Sequence, residues 1–228
     1  MSYRANRLLV FVLSAIVGAG SLAVASDAPR KATAPATAVF AGGCFWGVDG
    51  IFKHVKGVTG VVSGYAGGEV ANPSYEQVST GTTGHAESVE VTYDPSKVTY
   101  RDLLKVFFTV AHDPTELDRQ GPDEGTQYRS VVFYSDPQQK KAAESYISQL
   151  DRSKAFPDPI VTQVVPLKAF YPAEAYHQNF LERHPDYPYI VHNDLPKLTN
   201  LREKLPNLYS ATPAGLPPSI AAGDKATD

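Results

Sequence analysis

Cys44 is the only cysteine in the 228-residue chain, and Gly42 and Gly43 lead into it. Thr37–Ala41 reads as a strand, and Val48, Ile51, Phe52 and Val55 then form an apolar stripe at helical spacing that ends at Gly57. The sulfur therefore falls at a strand-to-helix junction. Unpaired amide N–H groups of a helix's first turn stabilise a thiolate there, so raised nucleophilicity is the expectation. The bland alternative is a small, inert core cysteine. Trp46, the only tryptophan, points away from the apolar stripe, and Phe45 lies at its margin; such a pair can wall a pocket for a small apolar group. Glu87 opens a strand, Glu87–Tyr93, and shares the parity of Val89, Val91 and Tyr93. Burial on that face favours a neutral carboxyl, the form a proton donor needs, whereas a strand-end position would turn it to water. Tyr75 and Tyr128 sit in loop-flanked segments rich in hydrogen-bonding residues, where their hydroxyls could hold a polar oxygen.

Other chemistries are excluded. One cysteine builds neither an internal disulfide nor a cysteine-rich zinc site. His85 and Glu87 match the H-x-E half of the zinc deaminases, but no P-C-x-x-C completes it. The six histidines lack the spacing that puts two metal ligands on one helical face, so no metal is expected. A net charge of −3 without a Lys/Arg cluster leaves no footprint for nucleic acid. An apolar share of 43% is too high for a disordered chain.

The remaining elements must position these groups. Val58–Val62 reads as a strand leading to a loop at Gly67-Gly68. Thr99 and Asp102 form a capping box for a helix that ends at Asp113-Pro114. Tyr128–Ser135 is a strand, Asp136-Pro137 starts a helix, Ile160–Leu167 is a further strand, and Pro172 opens a last helix stopped by Pro185. This order predicts an α/β sandwich with a mixed sheet. Arg4 and Arg7 precede the uncharged run Leu8–Ser26, with a cleavage-suited Ala23-Val24-Ala25, so residues 1–25 read as an export signal, and an uncleaved membrane anchor is the competing reading. Cleavage would remove two bases and no acid, moving the net charge from −3 to −5, and would leave no methionine in the mature chain. Residues 26–37 read as a linker, 38–209 as the domain and 210–228 as a flexible tail.

Four segments carry a resemblance. Gly43-Cys44-Phe45-Trp46-Gly47, Gly84-His85-Ala86-Glu87, Asp123 to Ser130 and Ala173 to Gln178 resemble, in order, the signature segments of the A-type peptide methionine sulfoxide reductases. The resemblance implies a two-layer α/β sandwich around a ferredoxin-like core and reduction of the S epimer of methionine sulfoxide, free or in proteins. It implies Cys44 as nucleophile and Glu87 as the acid protonating the sulfoxide oxygen. Tyr75 and Tyr128 would hydrogen-bond that oxygen, Asp123 would assist, and Phe45 and Trp46 would receive the S-methyl group. Many relatives keep recycling cysteines, but Tyr189–Tyr209 has none here, and Ser79 stands where several carry another. With no bound cofactor, an external thiol or thioredoxin-like dithiol protein would then reduce a Cys44 sulfenic acid directly. The expectation is an exported, periplasmic or extracytoplasmic monomer. A one-cysteine thiol peroxidase, which would want an arginine beside Cys44, and a non-enzymatic binding domain are the alternatives.

Overall fold

The computed structural model describes residues 34–215. The expected signal at 1–25 and most of the expected linker lie outside the described residues. The elements are β1 (Ala36–Ala41), α1 (Phe45–Lys53), β2 (Val58–Ala66), α2 (Tyr75–Ser79), β3 (Ala86–Tyr93), α3 (Tyr100–Val106), a two-strand ribbon of β4 (Arg119–Gln120) and β5 (Asp123–Glu124), β6 (Val131–Tyr134), α4 (Pro137–Ser153), β7 (Gln163–Pro166), β8 (Phe170–Pro172), α5 (Phe180–Arg183) and α6 (Leu195–Lys204). The six-stranded sheet has the order β7-β6-β1-β3-β2-β8. It is mixed, with β6 and β7 parallel and the other pairs antiparallel. The central four, β6-β1-β3-β2, come from two interleaved βαβ units, β1-α1-β2 and β3-α3-β6. That is the expected ferredoxin-like core.

Alternation along the strands decides which residues meet the helices. Ala38 and Phe40 of β1 and Val89, Val91 and Tyr93 of β3 join Val48, Ile51 and Phe52 of α1, Leu103 and Leu104 of α3, Ala143 of α4 and Leu201 of α6 in the main core. Val39, Ala41, Val131 and Phe133 face the other way, into a smaller cluster covered by Val165, Leu167 and Phe170. Glu87 keeps the parity of Val89, so its carboxyl lies on the helical side, as the alternation predicted.

The two helix starts read from their capping residues, Thr99 and Asp136, are present. Thr99 and Asp102 make the reciprocal capping box, and Asp136 accepts from the amides of Gln138 and Gln139 with Pro137 in the first turn. α3 stops as an α-helix at Val106, however, and continues as a π-turn over Phe107–Ala111.

The expected helix from Pro172 does not form. Pro172 closes β8, Ala175–His177 is a single 3₁₀ turn, and Asn179, in the left-handed region at φ 55°, precedes the short α5. The cause is Gln178: its side chain accepts from the Ser63 amide at 3.0 Å and donates to the carbonyls of Ser63 and Ala173 at 2.9 Å each. It extends the edge of β2 in place of a strand, which a continuous helix could not allow. The fold also reaches past the expected domain limits. β1 begins at Ala36, and two residues of the expected tail are tethered to the end of α1: the Ser210 amide donates to His54 O at 2.7 Å and the Ala214 amide to Lys53 O at 2.8 Å, while residues 216–228 lie outside the described residues.

Candidate active site

Cys44 is the N-cap of α1, with extended backbone (φ −52°, ψ 122°) and no side-chain capping bond. Gly43 makes the turn into it at φ +91°, and a Cβ there would lie 2.6 Å from Gln120 Cβ, so the dipeptide needs glycine twice over. The first-turn amides are shared. The Phe45 N–H donates to Glu87 Oε2 at 3.0 Å, and only the Trp46 amide favours the thiolate. Burial first, then the charges of Glu87 and Asp194, push the Cys44 thiol well above its ordinary value. The expected ready-made thiolate is thereby corrected: the helix start is present, but its positive end already serves carboxyls.

Glu87 is 3% exposed, and burial pushes its carboxyl up to about 8, with Asp123 adding to the rise and the Phe45 N–H opposing it. It is neutral near pH 7, the state expected of a proton donor. Tyr75 and Tyr128 stand half-buried around it. Burial raises both hydroxyls, and the charges of Glu87 and Cys44 raise them further. Tyr75 is held by its own amide, which donates to Glu174 Oε1 at 2.8 Å; Glu174 Oε2 accepts from the Tyr65 hydroxyl at 2.8 Å. Asp123, at the start of β5, is raised by burial and accepts a hydrogen bond from the Tyr189 hydroxyl.

The aromatic pair divides its work. Phe45 is buried in the core rather than at its margin, its ring 5.9 Å from Tyr65 and 4.9 Å from His177. Trp46 is half-buried: it stacks on Phe180 at 3.7 Å and meets Tyr187 and Tyr189 edge-on. Its indole N–H donates to His177 Nδ1 at 3.0 Å, which fixes that histidine as the Nε2-protonated tautomer. A cavity of about 70 Å³ opens onto Cys44, lined also by Gln120, Gly121, Pro122, Asp123, Tyr189, Asn193 and Lys197.

The structure thus gathers Cys44, Phe45, Trp46, Tyr75, Glu87, Asp123 and Tyr128 around the start of α1. Sequence reasoning passed over His177, Tyr189, Asp194 and Lys197. The first lay in a segment read as continuous helix, and Asp194-Leu195-Pro196 carried the usable signal, an acid ahead of proline at a helix start. His85 is structural: Nδ1 accepts from the Gly68 amide and Nε2 donates to Val70 O, which braces the glycine loop. Among the described residues no group of three or more His, Cys, Asp or Glu could hold a metal.

Residues 36–208 match the family model described as peptide methionine sulfoxide reductase. The chain belongs to the peptide methionine sulfoxide reductase family. This reductase is an oxidoreductase that returns methionine sulfoxide to methionine. It is 61% identical over 184 residues to peptide methionine sulfoxide reductase MsrA 2 of Mesorhizobium japonicum, covering 81% of this chain and 94% of the relative. It is 52% identical to an MsrA 2 of Synechocystis, covering 77% and 83%. Its fold is similar to that of methionine sulfoxide reductase A of Corynebacterium diphtheriae, with a TM-score of 0.59 at 36% identity over 69% of this chain and 77% of that one. Reduced Mxr1 of Saccharomyces cerevisiae gives 0.63 at 34% identity over 67% and 87%. With the family model and these relatives in agreement, the peroxidase alternative is not favoured.

Proposed function

We propose that the protein reduces methionine-S-sulfoxide, free or in polypeptides, with Cys44 as nucleophile and Glu87 as general acid. The supporting observation is the buried Glu87 carboxyl, protonated near pH 7 and fastened to the Phe45 amide 3.0 Å away, beside the reacting sulfur. A sulfoxide is a poor electrophile until its oxygen takes a proton. Glu87 gives that proton to the substrate oxygen as the Cys44 sulfur attacks and loses its own proton; the substrate's sulfur–oxygen bond breaks as the oxygen passes to Cys44, methionine leaves, Cys44 is left as a sulfenic acid, and the thiol proton restores the Glu87 carboxyl. Tyr75 and Tyr128 hold the substrate oxygen, Asp123 is oriented by Tyr189, and Trp46, with Phe45 behind it, receives the S-methyl group.

With a single cysteine in the chain, recycling needs thiols from outside. One donor thiol displaces water from the sulfenic acid to give a mixed disulfide, and a second releases Cys44 as the thiol and leaves the donor oxidised. An epimer-resolved assay with a dithiol donor tests the reading. Turnover of the S epimer alone is expected, lost in Cys44→Ser, with one trappable sulfenic acid per chain when substrate is added without donor. Retained turnover in Cys44→Ser would falsify it. We propose further that the chain is exported and cleaved after Ala25, on the strength of the N-terminal pattern, and that it works as a monomer. N-terminal sequencing of the extracytoplasmic fraction and light scattering test those points, and a chain still beginning at Met1 would overturn cleavage.

A further inference from the structure

We infer that Asp194 is a positioning charge that adds to burial in opposing ionisation of Cys44, and that Lys197 sets how strongly it does so. The inference deepens the reading of Cys44 as nucleophile and rests on it. Gly47 lies in the first turn of α1, three residues past Cys44, and a Cβ on it would sit 2.0 Å from Asp194 Oδ1. The missing side chain is what lets a carboxylate press against the helix start. Asp194 is wholly buried, and its neighbours Asn193 and Lys197 line the Cys44 cavity. Its Oδ1 faces Lys197 Nζ at 3.4 Å, while Oδ2 has no hydrogen-bond partner among the described residues.

A carboxylate at a helix start is stabilised by the same partial positive charge that would favour a thiolate, and two anions sharing it repel. The charged and titratable groups bearing on Asp194 are Lys197, Asp123, Cys44 and Tyr189. Those bearing on Cys44 are Glu87, Asp194 and Asp123, with the hydroxyls of Tyr75, Tyr128 and Tyr189 coupled to it. Glu87 and Asp123 have parts in handling the sulfoxide; Asp194 has none, yet it opposes ionisation of the sulfur next after Glu87. Lys197, a quarter exposed, offsets that charge only in part.

The test is an ultraviolet titration of the thiolate in the full protein, taken as the difference from the matching Cys44→Ser form so that tyrosine signals cancel. Asp194→Asn should move the midpoint down by roughly half a pH unit or more, giving about threefold more thiolate at a given pH below it. Iodoacetamide labelling at neutral pH should quicken to match. Faster labelling with an unmoved midpoint would mean mere loosening and would overturn the inference. If Asp194→Asn does not fold, Lys197→Gln is read instead: its midpoint should rise, because an unopposed Asp194 is ionised at alkaline pH, and a midpoint that stays or falls overturns the inference. Sulfoxide turnover measured alongside keeps the two claims apart, since an active Cys44→Ser would remove the nucleophile, whereas a fixed midpoint in Asp194→Asn with inactive Cys44→Ser removes only Asp194.

Discussion

The two ends of α1 both bury carboxyls, and they treat them differently. Near its C-terminal end, Asp49 and Lys53 form a buried ion pair, Lys53 also donates to Asn179 Oδ1 at 2.6 Å, and Glu182 approaches its ammonium at 3.8 Å. Burial still lifts Asp49 to about 7, against the pull of Lys53. At the N-terminal end Glu87 has no cation, only an amide, and rises to about 8. Burial alone makes a weak acid at either end. What separates the two is the neighbour each one has: Glu87 is fastened beside Cys44, whose sulfur lines a cavity, while Asp49 is paired with Lys53 and closed in by α5.

Substitutions can break or sharpen that contrast. Glu87→Gln removes the proton but keeps the shape, so the single-turnover rate of sulfoxide reduction should fall by about 100- to 10,000-fold while Cys44 still labels with iodoacetamide; a rate within a few-fold of wild type would remove Glu87 from the chemistry. Lys53→Met acts on the other end. It leaves Asp49 buried without its cation, and urea unfolding should show a loss of about 3–5 kcal/mol, with the chemical rate of the still-folded fraction unchanged.

The pH dependence separates the ends as well. Asp49 has a higher value folded than its ordinary 3.8, so the native state holds its proton more tightly than the unfolded chain does. Its contribution to stability is complete below about pH 4 and is lost as pH rises through about 7. Asp49→Asn should flatten the stability curve across that window. For Glu87 the same sign appears in rate: the chemical step should decline as pH rises through about 8, and Glu87→Gln should lack that decline. The smallest effect belongs to the aromatic wall. Trp46→Phe keeps the stack on Phe180 but deletes the donor to His177, a loss of about 1 kcal/mol in stability by thermal melting.

Local pattern carried much of this. The alternation of Glu87–Tyr93 put Glu87 on the helical face, and Gly42-Gly43 with the stripe at Val48 and Ile51 placed Cys44 at the helix start. What stayed hidden depended on contacts between distant segments. The amide of Phe45 is 42 residues from the carboxyl that claims it, so the thiol's rise could not be read from a strand-to-helix junction alone. Gln178 replaced a helix with an edge pairing 115 residues away, a bond that no helical periodicity encodes. Asp194 became part of the site because Gly47 has no side chain, and a glycine inside a helix gives no hint of what will fill its place.

The tether of Ser210 and Ala214 to the carbonyls of His54 and Lys53 has a practical corollary. Ala214 is thereby held at the end of α1 opposite the sulfur, about 14 Å away along nine residues of helix. A fluorophore, affinity handle or solid support attached there should leave the entrance used by oxidised polypeptides clear.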